Sequence, residues 1–485
     1  MKTRTSSPIK GMLILVCLFF FIPFSNSQVF DSLWYKPYGG SEHDRGFAVM
    51  EDDDGVYLVA GSTESYTNGG RDAYLLKLDN NGDPIWERSY GGALDEHISS
   101  ICPALYDGYM LTGYTKTDAE GISDIWVLWV SDEGDSLASI HYGGLTTDQA
   151  YKIIPNIDQG YTITSSSSVY MMGDQVYLLK IDLSLDTIWT KTYGYDKQDY
   201  GHDIIQTSDG GYIVAGRTYS TVYPESGQAW VIKTDSDGDS LWTKKYGGND
   251  EDIFFAAVET VDGYMFAGQT RSFNAVIIDV LVVRTDYNGN VIWSKIYGGN
   301  STDYAYGLFQ AEDASYVITG YSNSFNENND VYVLNIDGDG EVLFQGNYGD
   351  AQDAERMYGS CLTSDGGLIA TGILDYYLQG QDDMFVLKLG LGVGIYGNAY
   401  SNSGSLEIFP NPTKNRINLL FNCEINSQAE LGIYSSIGQL MENVSLKLVN
   451  DNRIEMYLNE YEPGVYFIEF ESADFQEVKK IVISR

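Results

Sequence analysis

The chain has 485 residues, with 68 Asp and Glu against 29 Lys and Arg, for a formal net charge of −39. Such a surface repels phosphates and anionic lipid, which argues against nucleic acid as a partner and leaves divalent cations as candidates. The length predicts two to four domains unless one fold is repetitive.

The N-terminus reads as a secretory signal peptide over residues 1–27. Lys2, Arg4 and Lys10 form a positive start, Met12 to Phe24 an apolar run, and Ser25-Asn26-Ser27 a small-residue cleavage site. The run is too short to span a bilayer, and no later segment is long and apolar enough to serve as a transmembrane anchor. Cys17 sits inside the run behind bulky Val16, unlike a lipid-attachment cysteine. Cleavage would remove three basic and no acidic residues, leaving a still more acidic chain. It would also leave Cys102, Cys361 and Cys423, too few and too odd in number for a disulfide framework, and read here as buried thiols.

From residue 28 to 391 one phrase recurs. LWTKKYGGNDED (241–252) has six relatives, anchored at Tyr38, Tyr90, Tyr142, Tyr193, Tyr246, Tyr297 and Tyr348, which stand 51 to 53 residues apart. Four residues before each anchor stands Trp34, Trp86, Trp189, Trp242, Trp293 or Phe344, with Ala138 the exception. Five or six residues after each comes an acid: Asp44, Asp95, Asp148, Asp199, Asp252, Asp303 and Asp353. Each period holds four strand-like runs, shown best by 203–209, 211–216, 229–235 and 239–247. Four strands per repeat of about 50 residues describe a β-propeller blade. The fourth run has a lone copy at 30–40, and the last period lacks one. The sequence therefore predicts an all-β fold: a seven-bladed propeller closed by its N-terminal strand.

Between the third and fourth runs lie DNNGD (79–83), DSDGD (235–239), DYNGN (286–290) and DGDGE (337–341). They resemble the start of a calcium loop, but Gly falls at position four rather than six, and a strand follows at once. A hairpin turn is the preferred reading, with calcium kept as an alternative. The acids after the Tyr-Gly anchors are likewise read as acceptors for loop N–H groups. The alternative is a ring of carboxylates at the channel mouth that binds cations.

No HExxH, GxSxG or strand-to-helix GxGxxG is present, so no catalytic residue and no cofactor is singled out. The loops between second and third runs are long and aromatic. They carry Tyr66, Tyr114, Tyr170, Tyr219, Tyr223, Phe273, Phe325, Tyr376 and Tyr377 among Ser, Asn, Asp and Gln. Aromatic faces among amides and acids suit an extracellular glycan or a surface protein; the same rings would also cover blade edges. A carbohydrate-active enzyme (glycoside hydrolase or lyase) and a structural or adhesion protein without a discrete site are the alternatives.

Residues 392–404 form a Gly/Ser/Asn-rich linker, and 405–485 hold further alternating strands, predicting a small Ig-like β-sandwich. Pro410, Asn411 and Pro412, then Ile433-Tyr434 with Gly438, then Gly464-Val465-Tyr466-Phe467 and finally Lys479 and Lys480 before Ile481-Val482-Ile483 form a specific set. This stretch resembles the type A C-terminal sorting domain of the type IX secretion system of Bacteroidota. The resemblance implies recognition by the type IX secretion machinery and passage through the periplasm to the cell surface or medium. Asn415 stands where the family often has Gly, and Asn tolerates the left-handed backbone that position implies. The propeller units resemble repeats in other passengers of that system.

Overall fold

The computed structural model describes residues 29–483, apart from 53–54, 68, 117–121, 170–172, 195–196, 220–225, 274, 276, 326–327, 350–352, 376–381, 393–405, 410–412, 415, 422–427, 436–439, 448–452, 459–460, 462 and 473–475. Its first part is seven four-stranded antiparallel sheets, the blades of a propeller, and no helix occurs among the described residues. The innermost strands are Asp44–Glu51, Glu96–Pro103, Asp148–Pro155, Asp199–Gln206, Asp252–Thr260, Asp303–Gln310 and Ala354–Leu362. Each contacts the innermost strand on either side, and Ala354–Leu362 contacts Asp44–Glu51, so the seven form a ring. The outermost strand of the seventh blade is Val29–Tyr38, hydrogen-bonded along Asp382–Gly392 with Tyr38 opposite Met384 and Val29 opposite Gly392.

The innermost strands begin earlier than the sequence runs imply. The fourth starts at Asp199 rather than 203, because its acid is already the first paired residue of the ladder, opposite Thr218. The second strands are buried on both faces; Tyr57–Thr63 has no exposed residue. Apolar cores lie between blades rather than inside them. Leu58 and Leu75 of the first blade share one core with Leu111 and Leu128 of the second. A single twisted sheet has no partner for its faces, so adjacent blades supply one another's.

The repeated phrase is the staple between blades. Trp34 and Tyr38, on the seventh blade, pack against the core it shares with the first. There the Trp34 indole donates to the Asn80 carbonyl at 3.2 Å and the Tyr38 hydroxyl to the Gly82 carbonyl at 2.6 Å. Trp86 and Tyr90 do the same to Asp132 and Gly134 of the second blade, at 3.1 and 2.6 Å. Trp293 and Tyr297 reach Gly338 and Gly340 of the sixth, at 3.0 and 2.8 Å. Trp189 and Trp242 flank the cores ahead of their own blades. Gly82 is required twice over. Its φ is +76°, and a Cβ there would lie 2.9 Å from the Trp34 ring. The receiving turns are built by their first acid. Asp79 Oδ1 accepts the N–H groups of Asn81 and Asp83, both at 2.8 Å, and these bonds hold its carboxyl below the usual range. Asp235, Asp286 and Asp337 repeat the arrangement.

Residues 406–483 form a three-stranded sheet, in the order Leu406–Phe409, Arg416–Phe421, Arg453–Tyr457, and a four-stranded one. The larger sheet includes Gln428–Ser435, which carries Ile433-Tyr434, and Leu440–Lys447. Ile417 and Leu419 of one sheet and Leu431, Ile433, Ile468 and Ile481 of the other enter one core. Gly464 opens the strand Gly464–Ser472, where Tyr466 packs on Tyr461, and Lys479 and Lys480 lie in Gln476–Ile483. Pro410, Asn411, Pro412 and Gly438 fall outside the described residues.

Candidate functional site

Every innermost strand carries a β-bulge at the same place, three residues past its acid. The unpaired residues are Phe47, Ser99, Tyr151, His202, Phe255, Tyr306 and Tyr358. A bulge frees one residue from the ladder and re-aims its side chain. Here all seven are half-buried and line one central cavity of about 650 Å³.

Their rings form a collar. Starting from Tyr151 it passes to His202 (centroids 5.3 Å apart), Phe255 (4.9 Å), Tyr306 (4.7 Å), Tyr358 (5.2 Å) and Phe47 (5.7 Å). It ends on His97, 4.4 Å from Phe47. His97 comes from two residues before the bulge, because the bulged residue of that blade is Ser99. The collar is therefore open between Tyr151 and His97. These spacings are those of favourable aromatic pairs. Tyr114 backs His97 at 5.1 Å, while Tyr200 lies 6.0 Å from His202.

The layer beneath is mostly small: Ala48, Ser100, Ala256, Gly307 and Gly359. The two remaining blades contribute an ion pair, Lys152 Nζ to Asp203 Oδ1 at 3.1 Å. Asp203 Oδ2 also accepts the Ala257 N–H at 2.9 Å. Among the described residues lining the cavity, Asp203 is the single carboxylate.

Burial pushes both imidazoles down to about 3, with the Arg71 and Arg45 guanidiniums adding to the effect at His97 and Arg217 at His202. Both rings are neutral at physiological pH. His97 Nδ1 and His202 Nε2 are buried without a hydrogen-bond partner among the described residues. Burial also raises Tyr151 and Tyr306 above the usual phenol range.

The acids after the anchors are buried in the blades. Asp252 accepts the Gly248 N–H and the Ser272 hydroxyl, both at 2.8 Å, and the Thr270 hydroxyl. Asp303 does the same with Gly299, Ser324 and Ser322. Asp44 accepts Gly40 N–H and the Ser65 hydroxyl, both at 2.7 Å. Asp148 and Asp199 are buried at the same strand position. In the second blade Glu96, not Asp95, holds this place, taking Gly92 N–H and the Thr115 hydroxyl. Glu355, not Asp353, stands at the corresponding position of the seventh, opposite Leu374. Glu96 keeps the six-residue distance from its Tyr-Gly anchor found in five other blades, while Glu355 stands seven residues after Tyr348. Among the described residues no three His, Cys, Asp or Glu side chains converge as a metal site.

Of the described loop aromatics, Tyr114 alone lines the cavity. Tyr66 stacks on Tyr74 at 5.8 Å and donates to the Gly39 carbonyl; Phe325 stacks on Tyr332 at 5.6 Å. Tyr219 donates to Glu251 at 2.8 Å and underlies Arg217. Phe273 is half-exposed beside Gly248, away from the cavity. Tyr170, Tyr223, Tyr376 and Tyr377 lie outside the described residues. Sequence reasoning thus missed the collar. Its signal was the third residue after each buried acid, with Glu96 and Glu355 in place of Asp95 and Asp353: an aromatic or His in six of seven repeats.

Fold and channel define the class: a seven-bladed β-propeller with an aromatic-lined centre. The remainder has an address. Residues 407–484 match the family described as Secretion system C-terminal sorting domain. A sorting tail of this type IX kind marks the chain for the cell surface or for release, through the secretion machinery that reads it. No helix among the described residues is long and apolar enough to cross a membrane. None of the curated proteins matches the chain. Among solved structures it is similar to Drosophila Semaphorin 2a, at 8% identity over 94% of this chain and 98% of that one, with a TM-score of 0.47. It is also similar to Sqt1 from Chaetomium thermophilum (12%, 81% and 97%, 0.42) and to a puromycin hydrolase (10%, 80% and 61%, 0.46). These likenesses bear on neither ligand nor activity.

Proposed function

We propose that this is a secreted or surface-displayed binding protein whose propeller holds an extracellular glycan or protein at the aromatic-lined mouth of its channel. The observation that carries the reading is the collar. Seven strands each bulge at one position, and six of the freed side chains are rings around a cavity of about 650 Å³. Half-buried ring faces stack on the apolar faces of sugars or on partner side chains, and Gln149, Ser99 and Ser100 offer hydrogen bonds beside them. Binding is favoured over glycoside hydrolysis because that chemistry ordinarily needs two carboxyl groups facing the bond. The lining offers Asp203, already tied to Lys152.

The test is a glycan and surface-protein array probed with the exported protein and with Tyr306→Ala and Tyr358→Ala. Retention of an intact ligand, weakened about tenfold or more by either variant, is the expected result. Cleaved products would make the protein an enzyme. Retention unchanged by both variants would move the site away from the channel.

A further inference from the structure

The collar has two unlike sides. From Phe255 through Tyr306 and Tyr358 to Phe47 the bulged residues are all rings, and Tyr304 and Tyr321 back Tyr306 at 6.1 and 5.9 Å. Opposite them, between the second and third blades, a ring is missing. The wall there is Ser99 and Ser100 of one blade and Gln149 and Lys152 of the next. Gln149 takes the place that His97 holds in the second blade, two residues before the bulge. Its amide reaches the Ser123 hydroxyl at 3.5 Å, a bond long enough to be exchanged for a better one.

Among the described residues the charges around this channel are matched. Lys152 binds Asp203 at 3.1 Å, and Asp203 also accepts the Ala257 N–H. The arginines above pair in turn: Arg45 with Asp382 at 2.9 Å, Arg356 with Asp375 at 2.8 Å and Arg71 with Glu64 at 3.3 Å. Arg217 and Arg271 share Glu251 at 3.3 and 3.6 Å. Asp174, which accepts the hydroxyl of the Tyr200 ring under Arg217, supplies the second carboxylate. The His97 and His202 imidazoles are neutral. A charged ligand would lose its water here and gain no counter-charge.

We infer that the channel takes an uncharged sugar, with its C–H face toward the ring side and its hydroxyl edge toward Ser99 and Gln149. A pyranose has the same two sides as the collar, apolar on one face and hydroxyl-bearing at the edge. Its hydroxyls both donate and accept, as do a serine hydroxyl and a glutamine amide. A cavity of about 650 Å³ lies within the range of small-ligand sites. The inference rests on the binding reading above, and it names the ligand class and the edge that is recognised. A protein loop fits less well. Its backbone groups would need partners inside the channel, where Ala48, Ala256, Gly307 and Gly359 offer no side-chain donor or acceptor.

The experiment probes three sets of oligosaccharides with the full exported chain: neutral, uronic or sulfated, and amino-sugar. The strongest binder of each set is then titrated by calorimetry at low and high salt. We expect a neutral oligosaccharide to bind about tenfold or more tighter than the best charged one, with an affinity that changes less than about twofold with salt. Gln149→Ala should weaken it about tenfold and Ser99→Ala severalfold, both at an unchanged melting temperature. A charged oligosaccharide that binds as tightly as any neutral one, and is weakened by Tyr306→Ala, would overturn the neutral selection and leave the binding reading standing. Neutral binding lost in Tyr306→Ala but untouched by Gln149→Ala and Ser99→Ala would overturn the placing of the hydroxyl edge. A surface protein retained through the collar, with no sugar bound, would overturn the sugar and again spare the binding reading. Retention indifferent to every collar variant, or no retention at all, would overturn both.

Discussion

In the outermost strands one position holds Trp34, Trp86, Trp189, Trp242 and Trp293. In the innermost strands one position holds Phe47, Ser99, Tyr151, His202, Phe255, Tyr306 and Tyr358. Both recur once per blade, but the first is almost constant and the second varies. Each tryptophan meets the same object, the Gly-containing turn of the next blade, whose carbonyl and bare Cα accept one shape. The bulged residues meet the channel, where no partner blade dictates a shape. Repetition at a fixed position marks a contact between blades. Variation at a fixed position marks a surface free to be specialised.

The largest expected effect that tests this contrast comes from the outer strand. Trp86→Ala removes a ring packed between the first and second blades, and should cost about 3 kcal/mol in denaturant unfolding. Ligand binding by the folded protein should stay as it was. A stable variant that binds poorly would reverse the roles given to the two strands.

A smaller effect concerns the inner strand and pH. Burial lowers the His202 imidazole from 6.5 to about 3, with Arg217 adding to it. A depressed folded value contributes stability that is fully present above about 6.5 and lost as pH falls toward 3. The melting temperature should fall across that window, and less steeply in His202→Phe. Glu96, Asp148 and Asp252 are raised by burial, so their contribution runs the other way and is lost as pH rises through their folded values. The difference between wild type and variant therefore isolates the imidazole. Parallel curves would mean that His202 is not held neutral by burial.

The smallest effect on stability is expected from Ser99→Tyr, which adds a ring at the one open place in the collar. Thermal melting should change by less than about 1 kcal/mol equivalent, since the side chain faces the cavity. Affinity should fall severalfold as the gap closes. Unchanged affinity would mean that ligand does not pass beside Ser99.

Much of this was legible before any coordinates. The period near 50 residues, the lone N-terminal phrase and the tail motif all lie in the order of residues. Repeats and turn chemistry are local, and local patterns survive translation into sequence. The site was less legible. Tyr66 and Phe325 read as ligand-facing because they lie in polar loops; both are exposed, and the stacking of each on a tyrosine of its own blade is visible only in the fold. Asp95 and Asp353 fall one residue short of the six-residue spacing of the other acids, and Glu96 and Glu355 took the buried position. That choice depends on where the strand ladder starts.

By itself the sequence determined the all-β class, the number of blades, the Trp and Tyr staples and the sorting tail, because each depends on periodicity or on a contiguous motif. Tertiary structure alone decided which side chains meet. The collar joins residues from position 47 to position 358, and its geometry depends on a bulge repeated in seven separate ladders.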